Sequence, residues 1–308
     1  MKTSIKIQFA NLFRNTGFIL ALAIVMGLAF YQGASWTKPA VTPILGLIMT
    51  LSLLGVSSKI FWDFRKLLIP ISISLVLNYL LLSGSLIGLS SLILTDHELW
   101  IGFVLVAAVP AAVGVIPFSH HLGANTELSL VGTAATYLAA FVITPLISIT
   151  LLGVNIIAPE RLLLILVELI IGPFILSRVL QRTRISTTLE KFRGAIVNWS
   201  FFLVIYTVIG LNRDAFLTEP VILLRLAIVA FVSTFVITYL IDRLLKFLGV
   251  DKPKRISLAL LGTRKNYGLA AAIALTFFNS RTAAPSAVAS AFAIIHFIWL
   301  TFRVKKMD

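Results

Sequence analysis

Ten long apolar runs constrain the fold of this chain more than any other feature. A helix needs about 20 mostly apolar residues to cross a bilayer. Only 12% of the 308 residues are charged and 59% are hydrophobic, whereas a soluble domain carries about 25% charged residues. A water-soluble fold is therefore excluded, and the lipid bilayer is the first expected partner. The runs lie at roughly 16–31, 41–58, 67–94, 98–122, 125–152, 160–181, 195–211, 220–245, 255–278 and 283–302.

The same runs define the fold class. None of them alternates apolar and polar residues as a strand would, and the connections are too short to hold a soluble domain. We expect an all-α polytopic membrane protein with ten transmembrane helices, residues 1–308 forming a single integral membrane domain. The first run could alternatively be a signal peptide. We favour a retained helix, because its loss would break the charge pattern.

The basic residues predict the orientation. Lys and Arg number 26 and Asp and Glu 12, which gives a net charge of +14. Nineteen of the basic residues fall on one side of the predicted bundle and four on the other. Basic loops stay in the cytoplasm, so we expect a multi-pass protein of the cytoplasmic membrane with both termini inside. Nucleic acid is not an expected partner. The remaining three basic residues, Arg225, Arg264 and Lys265, lie inside apolar runs.

Ten spans divide into two sets of five. An odd number of spans per set inverts the second set relative to the first, as in many secondary transporters. We therefore predict inverted repeats at about 10–155 and 156–308, with the fourth and ninth helices broken and crossing each other.

Both of these spans carry sequence that interrupts a helix. In the fourth, Pro110 and Pro117 flank Gly114, and proline removes a backbone donor and clashes with the preceding turn. The ninth contains a polar stretch, and unwound backbone at that depth is tolerated only where it lines protein or a cavity. A simple proline kink and a buried structural ion pair are the respective alternatives. The polar stretch consists of Thr263, Arg264, Lys265, Asn266 and Tyr267.

Ionisable residues within membrane spans are functional candidates. Arg264 is the candidate for holding an anion, because arginine stays charged, and Lys265 for a proton-coupled step, because burial readily changes its protonation. Glu168 is a candidate counter-ion for these cations or a proton carrier. Arg225 is a charge-pair candidate that could instead snorkel to the interface. His296 is expected to be a hydrogen-bonded packing residue.

The chain resembles the bile acid:sodium symporter superfamily over nearly its whole length. The resemblance is carried by Pro110 in the fourth span and by three segments in one register: PILGLIMTLSLLG in the second span, LSLVGTAATYLAAFVITPLI in the fifth and KNYGLAAAIAL from Lys265 in the ninth. It implies ten helices in inverted repeats, with helices 4 and 9 broken and crossing. It also places Ser129 and Thr133 at two sodium-ligand positions.

The departures from the family pattern concern the sodium ligands. In the same register the acidic ligand of helix 9 falls on Leu261 and its glutamine ligand falls on Lys265. The serine and asparagine ligands after the helix 4 proline fall on Val115 and Ile116, and the helix 3 glutamine falls on Asn78. Most oxygen ligands that the resemblance implies are therefore replaced.

Two hydroxyl groups alone do not hold sodium, which needs several oxygen ligands. We therefore hypothesise that sodium is not a partner and that Lys265 stands in for the ion. Transport of a small organic anion would then be uniport, exchange or proton-linked. No cofactor and no metal site are expected. The expected substrate-binding residues are Asn78, Pro110, Ser129, Thr133, Thr263, Arg264, Lys265 and Asn266.

Two other functions remain open. Auxin-efflux-like carriers share the general ten-helix plan, and a membrane ligand sensor would need a binding cavity without flux. An enzyme is not expected, because no Ser–His pair, carboxylate pair or metal set has catalytic spacing in the spans. Thiol chemistry is excluded, because the chain has no cysteine. The oligomeric state is left open.

Overall fold

The computed structural model describes residues 16–54, 64–153 and 158–304. Within these ranges the regular structure is entirely helical, with no strand. A short helix, Arg213–Thr218, precedes the long helix that begins at Pro220. We label the other helices α1 (Thr16–Ala29), α2 (Tyr31–Leu54), α3 (64–93), α4 (His97–Ala108), α5 (Val115–His121), α6 (Thr126–Leu152), α7 (159–181), α8 (Ile185–Leu211), α9 (Pro220–Phe247), α10 (Lys252–Leu261), α11 (Tyr267–Phe277) and α12 (Ser280–Val304).

Among the described residues, seven helices are long and apolar enough to cross a membrane: α2, α3, α6, α7, α8, α9 and α12. A multi-pass helical membrane protein is therefore confirmed. The arrangement of ten helices in inverted repeats stays a prediction, and residues 1–15 and 305–308 at the two ends of the chain lie outside the described residues.

Several helices begin or end away from the predicted boundaries. The second predicted span starts about ten residues earlier, at Tyr31. It passes through two 3-10 turns with one α-helical turn between them before the long α-helix begins at Val41. The helix of the seventh span also starts about ten residues earlier, at Ile185. In both cases the added turns contain polar residues, which apolar run length cannot detect.

Three of the long helices contain a π-helical turn, at Val76–Leu82, Val167–Ile171 and Val232–Val236. Such turns insert a wider loop of backbone into an α-helix and often occur at functional sites. The first of them carries Asn78, which is fully buried.

The helices pack as two groups. One group consists of α1, α2, α7 and α8, and the other surrounds the short helix α4, which packs against α3, α6, α11 and α12. Every residue from Phe103 to Ala108 is completely buried. Gly102 permits the approach of α12, since a β-carbon there would collide with the Thr282 carbonyl and the Pro285 ring. The part of α4 from Ile101 to Ala108 is thereby buried within the bundle.

Ion pairs join three segments of the chain at the end of the bundle where α4 and α12 begin. Arg281 donates to both carboxylate oxygens of Glu219, at 2.8 and 2.9 Å, and to Asp96 at 2.8 Å. The hydrogen bonds from Arg281 lower the pKa of Glu219. Desolvation alone would raise the pKa of Asp96, but hydrogen bonds from Arg281 and from the first amides of α4 lower it overall. These contacts tie together the starts of α4, α9 and α12.

Candidate functional site: two broken helices beside a cavity

The interruptions predicted for the fourth and ninth spans are confirmed. Helical structure stops after Ala108 and resumes at Val115, and it stops again after Leu261 and resumes at Tyr267. The two interruptions touch each other, because the backbone N–H of Asn266 donates to the carbonyl of Pro110 at 2.8 Å. Segments more than 150 residues apart in sequence therefore meet inside the bundle.

The carbonyl groups at the end of α4 find hydrogen-bond donors where the two interruptions meet. The last carbonyls of a helix have no partner within the helix, and in apolar surroundings an unpaired carbonyl is costly. Here each carbonyl of residues 107–110 accepts a hydrogen bond from another segment. The donors are Ser83 (2.7 Å), Thr144 (2.8 Å), Lys265 (2.9 Å) and the Asn266 amide (2.8 Å).

Lys265 lies where the two interruptions meet and is completely buried. Its Nζ donates to Asn78 Oδ1 at 2.8 Å and to the Val109 carbonyl at 2.9 Å. The same nitrogen lies 4.3 Å from the centre of the Tyr79 ring, within the range of a cation–π interaction. The Lys265 nitrogen thus occupies a small site made of two carbonyl-type oxygens and an aromatic face, at the C-terminal, negative end of α4.

Asn78 connects the π-helical turn of α3 to the second interruption. Its side-chain amide donates to the carbonyls of Leu261 at 2.8 Å and Arg264 at 3.2 Å, while its oxygen accepts from Lys265. Asn78 therefore uses both ends of its amide to hold the unwound segment after α10. Asn78 and Lys265 therefore meet at the end of α4, next to Pro110, and their assignment to a substrate-binding site stays a prediction.

Arg264 is the second buried cation, only 1% exposed. Its Nη1 donates to the Ala293 carbonyl at 2.5 Å, and its Nη2 lies 2.7 Å from His296 Nδ1. Because a guanidinium has no acceptor, His296 must accept through Nδ1 and is a neutral packing residue, as predicted. The Nε atom of Arg264 has no hydrogen-bond partner among the described residues.

The two neighbouring polar residues serve the backbone of the ninth span. Asn266 caps α11 by accepting from the Leu269 amide at 3.1 Å, and its side-chain nitrogen donates to the Tyr137 hydroxyl at 2.8 Å. Thr263 is fully buried and donates to the Ala259 carbonyl at 2.6 Å. These bonds fix the ends of the interruption, which leaves the charged side chains of Arg264 and Lys265 at its middle.

Neither buried cation has a carboxylate partner within 4.0 Å in the described part of the chain. The expectation that Glu168 is their counter-ion is therefore wrong. Its neighbours Leu166, Leu169 and Ile170 face inward, and the side chain of Glu168 lies exposed on the other face of α7. Burying isolated charge is costly unless it is paired, so two adjacent basic side chains that are buried without a carboxylate partner are a distinctive feature of this site.

Arg225 does not join the site either. Its Nη1 donates to the Thr95 hydroxyl at 2.9 Å, in the loop between α3 and α4. The side chain therefore reaches toward the end of the bundle, which is the snorkelling alternative.

Ser129 and Thr133 lie on one face of α6 and are buried. The Ser129 hydroxyl is 2.5 Å from that of Ser119, and the Thr133 hydroxyl has no partner among the described residues. No hydrogen bond joins either of them to Lys265 or Arg264. Sequence reasoning missed Ser119 and Tyr79, although each lies within a run that carries a proposed site residue.

A cavity of about 1150 Å³ lies between the two helix groups, beside the two helix interruptions. We call it the central cavity. One wall of the cavity is formed by residues 264–269 and one face of α12. Arg264 and Lys265 lie directly behind this wall. The cavity also reaches Glu127, Glu190 and Arg193, toward the end where α8 begins. The opposite wall is apolar and includes Leu45, Ile48 and Met49 of α2 and Val204 and Ile205 of α8.

Comparison with known proteins identifies the family. The family model of the sodium bile acid symporters matches residues 42–217, which is more than half of the chain. The chain is also 23% identical over 277 residues to a Bacillus subtilis (strain 168) protein named as the uncharacterized sodium-dependent transporter YocS, with 86% of this chain and 83% of that protein covered. Members of this family are transporters and not enzymes. The chain therefore belongs to the sodium bile acid symporter family.

Proposed function

We propose that this protein carries a small organic anion across the cytoplasmic membrane by alternating access. The observation that supports the proposal is the pair of buried cations, Arg264 and Lys265, behind the wall of the central cavity without a neighbouring carboxylate. A fixed positive charge in a poorly solvated site attracts an anion far more strongly than the same charge does in water. Broken helices at the midplane are the usual substrate site of secondary transporters.

We further propose that transport does not use sodium in the way usual for the family. Lys265 Nζ already lies between Asn78 Oδ1 and the Val109 carbonyl, at 2.8 and 2.9 Å. Such oxygens suit a cation, and a tethered ammonium there would repel sodium. Transport would then be uniport, exchange or proton-linked. In this proposal the predicted set of ten helices, with inverted repeats at 10–155 and 156–308 and both termini inside, supplies the two alternating states.

The name of the Bacillus subtilis relative favours the opposite reading of the coupling, because that protein is called sodium-dependent. Ser129 and Thr133 also remain as two hydroxyls at positions that the family resemblance assigns to sodium. Sodium-coupled transport of the same anion is therefore the second candidate.

Counterflow in liposomes containing the purified protein separates these alternatives. Vesicles are loaded with unlabelled organic carboxylate, and uptake of a labelled carboxylate is followed in sodium or choline buffer. We expect exchange of equal rate in the two buffers and none in protein-free vesicles. Exchange that needs sodium would support the second candidate, and saturable binding with no exchange would indicate a sensor.

A further inference from the structure

One face of α12 lines the central cavity along its length. Ser286, Ser290, Ala293, Phe297 and Thr301 all border the cavity and are spaced by three or four residues, as one helical face requires. This stripe passes Arg264, whose Nη1 is bound to the carbonyl of Ala293. Arg264 therefore borders the cavity at the level of Ala293 on α12.

Ser286 differs from the other hydroxyl residues of the stripe. Ser290 donates to the Ala287 carbonyl at 2.8 Å and Thr301 to the Phe297 carbonyl at 2.9 Å, so both are satisfied by their own helix. Ser286 is only 2% exposed, yet its hydroxyl has no partner among the described residues. A buried polar group without a partner is uncommon and calls for an explanation.

Arg264, on the same wall, also has a polar atom without a hydrogen-bond partner among the described residues. Its two terminal nitrogens are held by Ala293 and His296, whereas Nε is unpartnered. The edge formed by Nε and Nη2 fits the two oxygens of a planar carboxylate. Seven residues separate Ser286 from Ala293, so the hydroxyl and this edge are roughly 10 Å apart along the helix. The wall between them presents small apolar side chains, Ala287 and Ala271.

We propose that the transported anion is a carboxylate with a hydroxyl or other hydrogen-bonding group roughly 10 Å from the carboxyl group along an apolar body. Arg264 binds the carboxylate through its Nε edge, and Ser286 binds the distal group. Because both atoms lie just behind the wall in this state, binding includes a rotation of the Ser286 hydroxyl and a small displacement of the wall. This inference rests on the proposed anion transport and adds Ser286 as the residue that sets substrate specificity.

Binding of two matched probes to the full-length protein in detergent tests the inference. Octanoate and 8-hydroxyoctanoate differ only in the terminal hydroxyl, and an extended eight-carbon chain spans about 10 Å. One additional hydrogen bond contributes about 1.4 kcal/mol, so we expect 8-hydroxyoctanoate to bind about tenfold more tightly. In Ser286→Ala the ratio of the two dissociation constants should fall to about one, whereas Ser290→Ala should keep the wild-type ratio.

A measurement on the wild-type protein keeps the test independent of whether a variant folds. 4-Hydroxyoctanoate places its hydroxyl too close to the carboxylate to reach Ser286, so it should gain nothing over octanoate. Equal binding of all three probes, or a tenfold ratio that survives Ser286→Ala, would overturn the two-point recognition. If the probes bind equally and are still exchanged across liposomes, only this inference fails; if no organic carboxylate is exchanged, the proposed function fails with it.

Discussion

Replacing Lys265 by alanine should convert its position into a binding site for a free cation. The truncation removes the ammonium but leaves Asn78 Oδ1, the Val109 carbonyl and the Tyr79 ring, which surround Nζ at 2.8, 2.9 and 4.3 Å. Lys265→Met removes the same charge but keeps the space filled by an unbranched apolar chain. The pair of variants therefore separates loss of the charge from opening of the site.

The net change in the free energy of unfolding when the charge is removed is small relative to the two contributions that make it up. Two hydrogen bonds from a charged donor contribute about 3–6 kcal/mol together, but burying an ammonium costs several kcal/mol. These contributions oppose each other, so the sharper prediction concerns the response to ions. A cation at ten times its dissociation constant stabilises the folded state by about 1.4 kcal/mol. Because the site offers only two oxygens, ammonium should bind better than sodium, which needs more oxygen ligands.

The assay is thermal unfolding in detergent, in ammonium, sodium or choline chloride at equal ionic strength. We expect ammonium to raise the apparent melting temperature of Lys265→Ala, with little effect on the wild-type protein or on Lys265→Met. An identical ammonium response in the alanine and methionine variants would refute the reasoning, because the Lys265 pocket would then not be a cation site.

Three further changes test the packing and charge around the site. Asn78→Ala should destabilise the protein by about 1–3 kcal/mol, because it leaves the buried Lys265 nitrogen and the Leu261 carbonyl each short of a hydrogen-bond partner; chemical unfolding measures this. Gly102→Ala should lower the melting temperature and Gly84→Ala should not, because a β-carbon at Gly102 meets the backbone of α12 while nothing lies within 4 Å of one at Gly84. The hydrogen bond from Arg281 lowers the pKa of Glu219. This bond therefore stabilises the folded state above about pH 4.3, and the stabilisation is lost as the pH falls through the folded-state pKa of Glu219. In Arg281→Gln the free energy of unfolding should depend less on pH between about pH 6 and pH 3.

The helical membrane fold could be predicted because it follows from strong local signals. Long apolar runs require helices in lipid, and Pro110 and the charged segment at 263–267 each interrupt a run where the structure interrupts a helix. These features depend on residues adjacent in sequence, and neighbouring positions are enough to identify them. The helix ends were less predictable, because polar turns extend α2 and α8 beyond their apolar runs.

The partners of the charged residues could not be predicted in the same way. Arg264 is held by Ala293 and His296, which lie 29 and 32 residues away on α12, and no local pattern encodes that pairing. Glu168 was assigned to the site because it is ionisable within a span, but α7 turns it away from the cations. Asn78 and Lys265 were assigned to one site through the family resemblance, which carries the long-range information that composition and periodicity lack.

The positive charge behind the cavity wall is central to the proposed anion transport, and equilibrium binding of a labelled organic carboxylate in sodium-free buffer tests its role directly. A unit charge about 5 Å from a carboxylate contributes about 3 kcal/mol at an effective dielectric constant near 20, or roughly a hundredfold in affinity. We predict that Arg264→Gln weakens binding by at least tenfold, whereas Arg225→Gln, which removes a cation outside the site, leaves the dissociation constant unchanged. Equal affinity in the wild-type protein and in a folded Arg264→Gln variant would contradict the account.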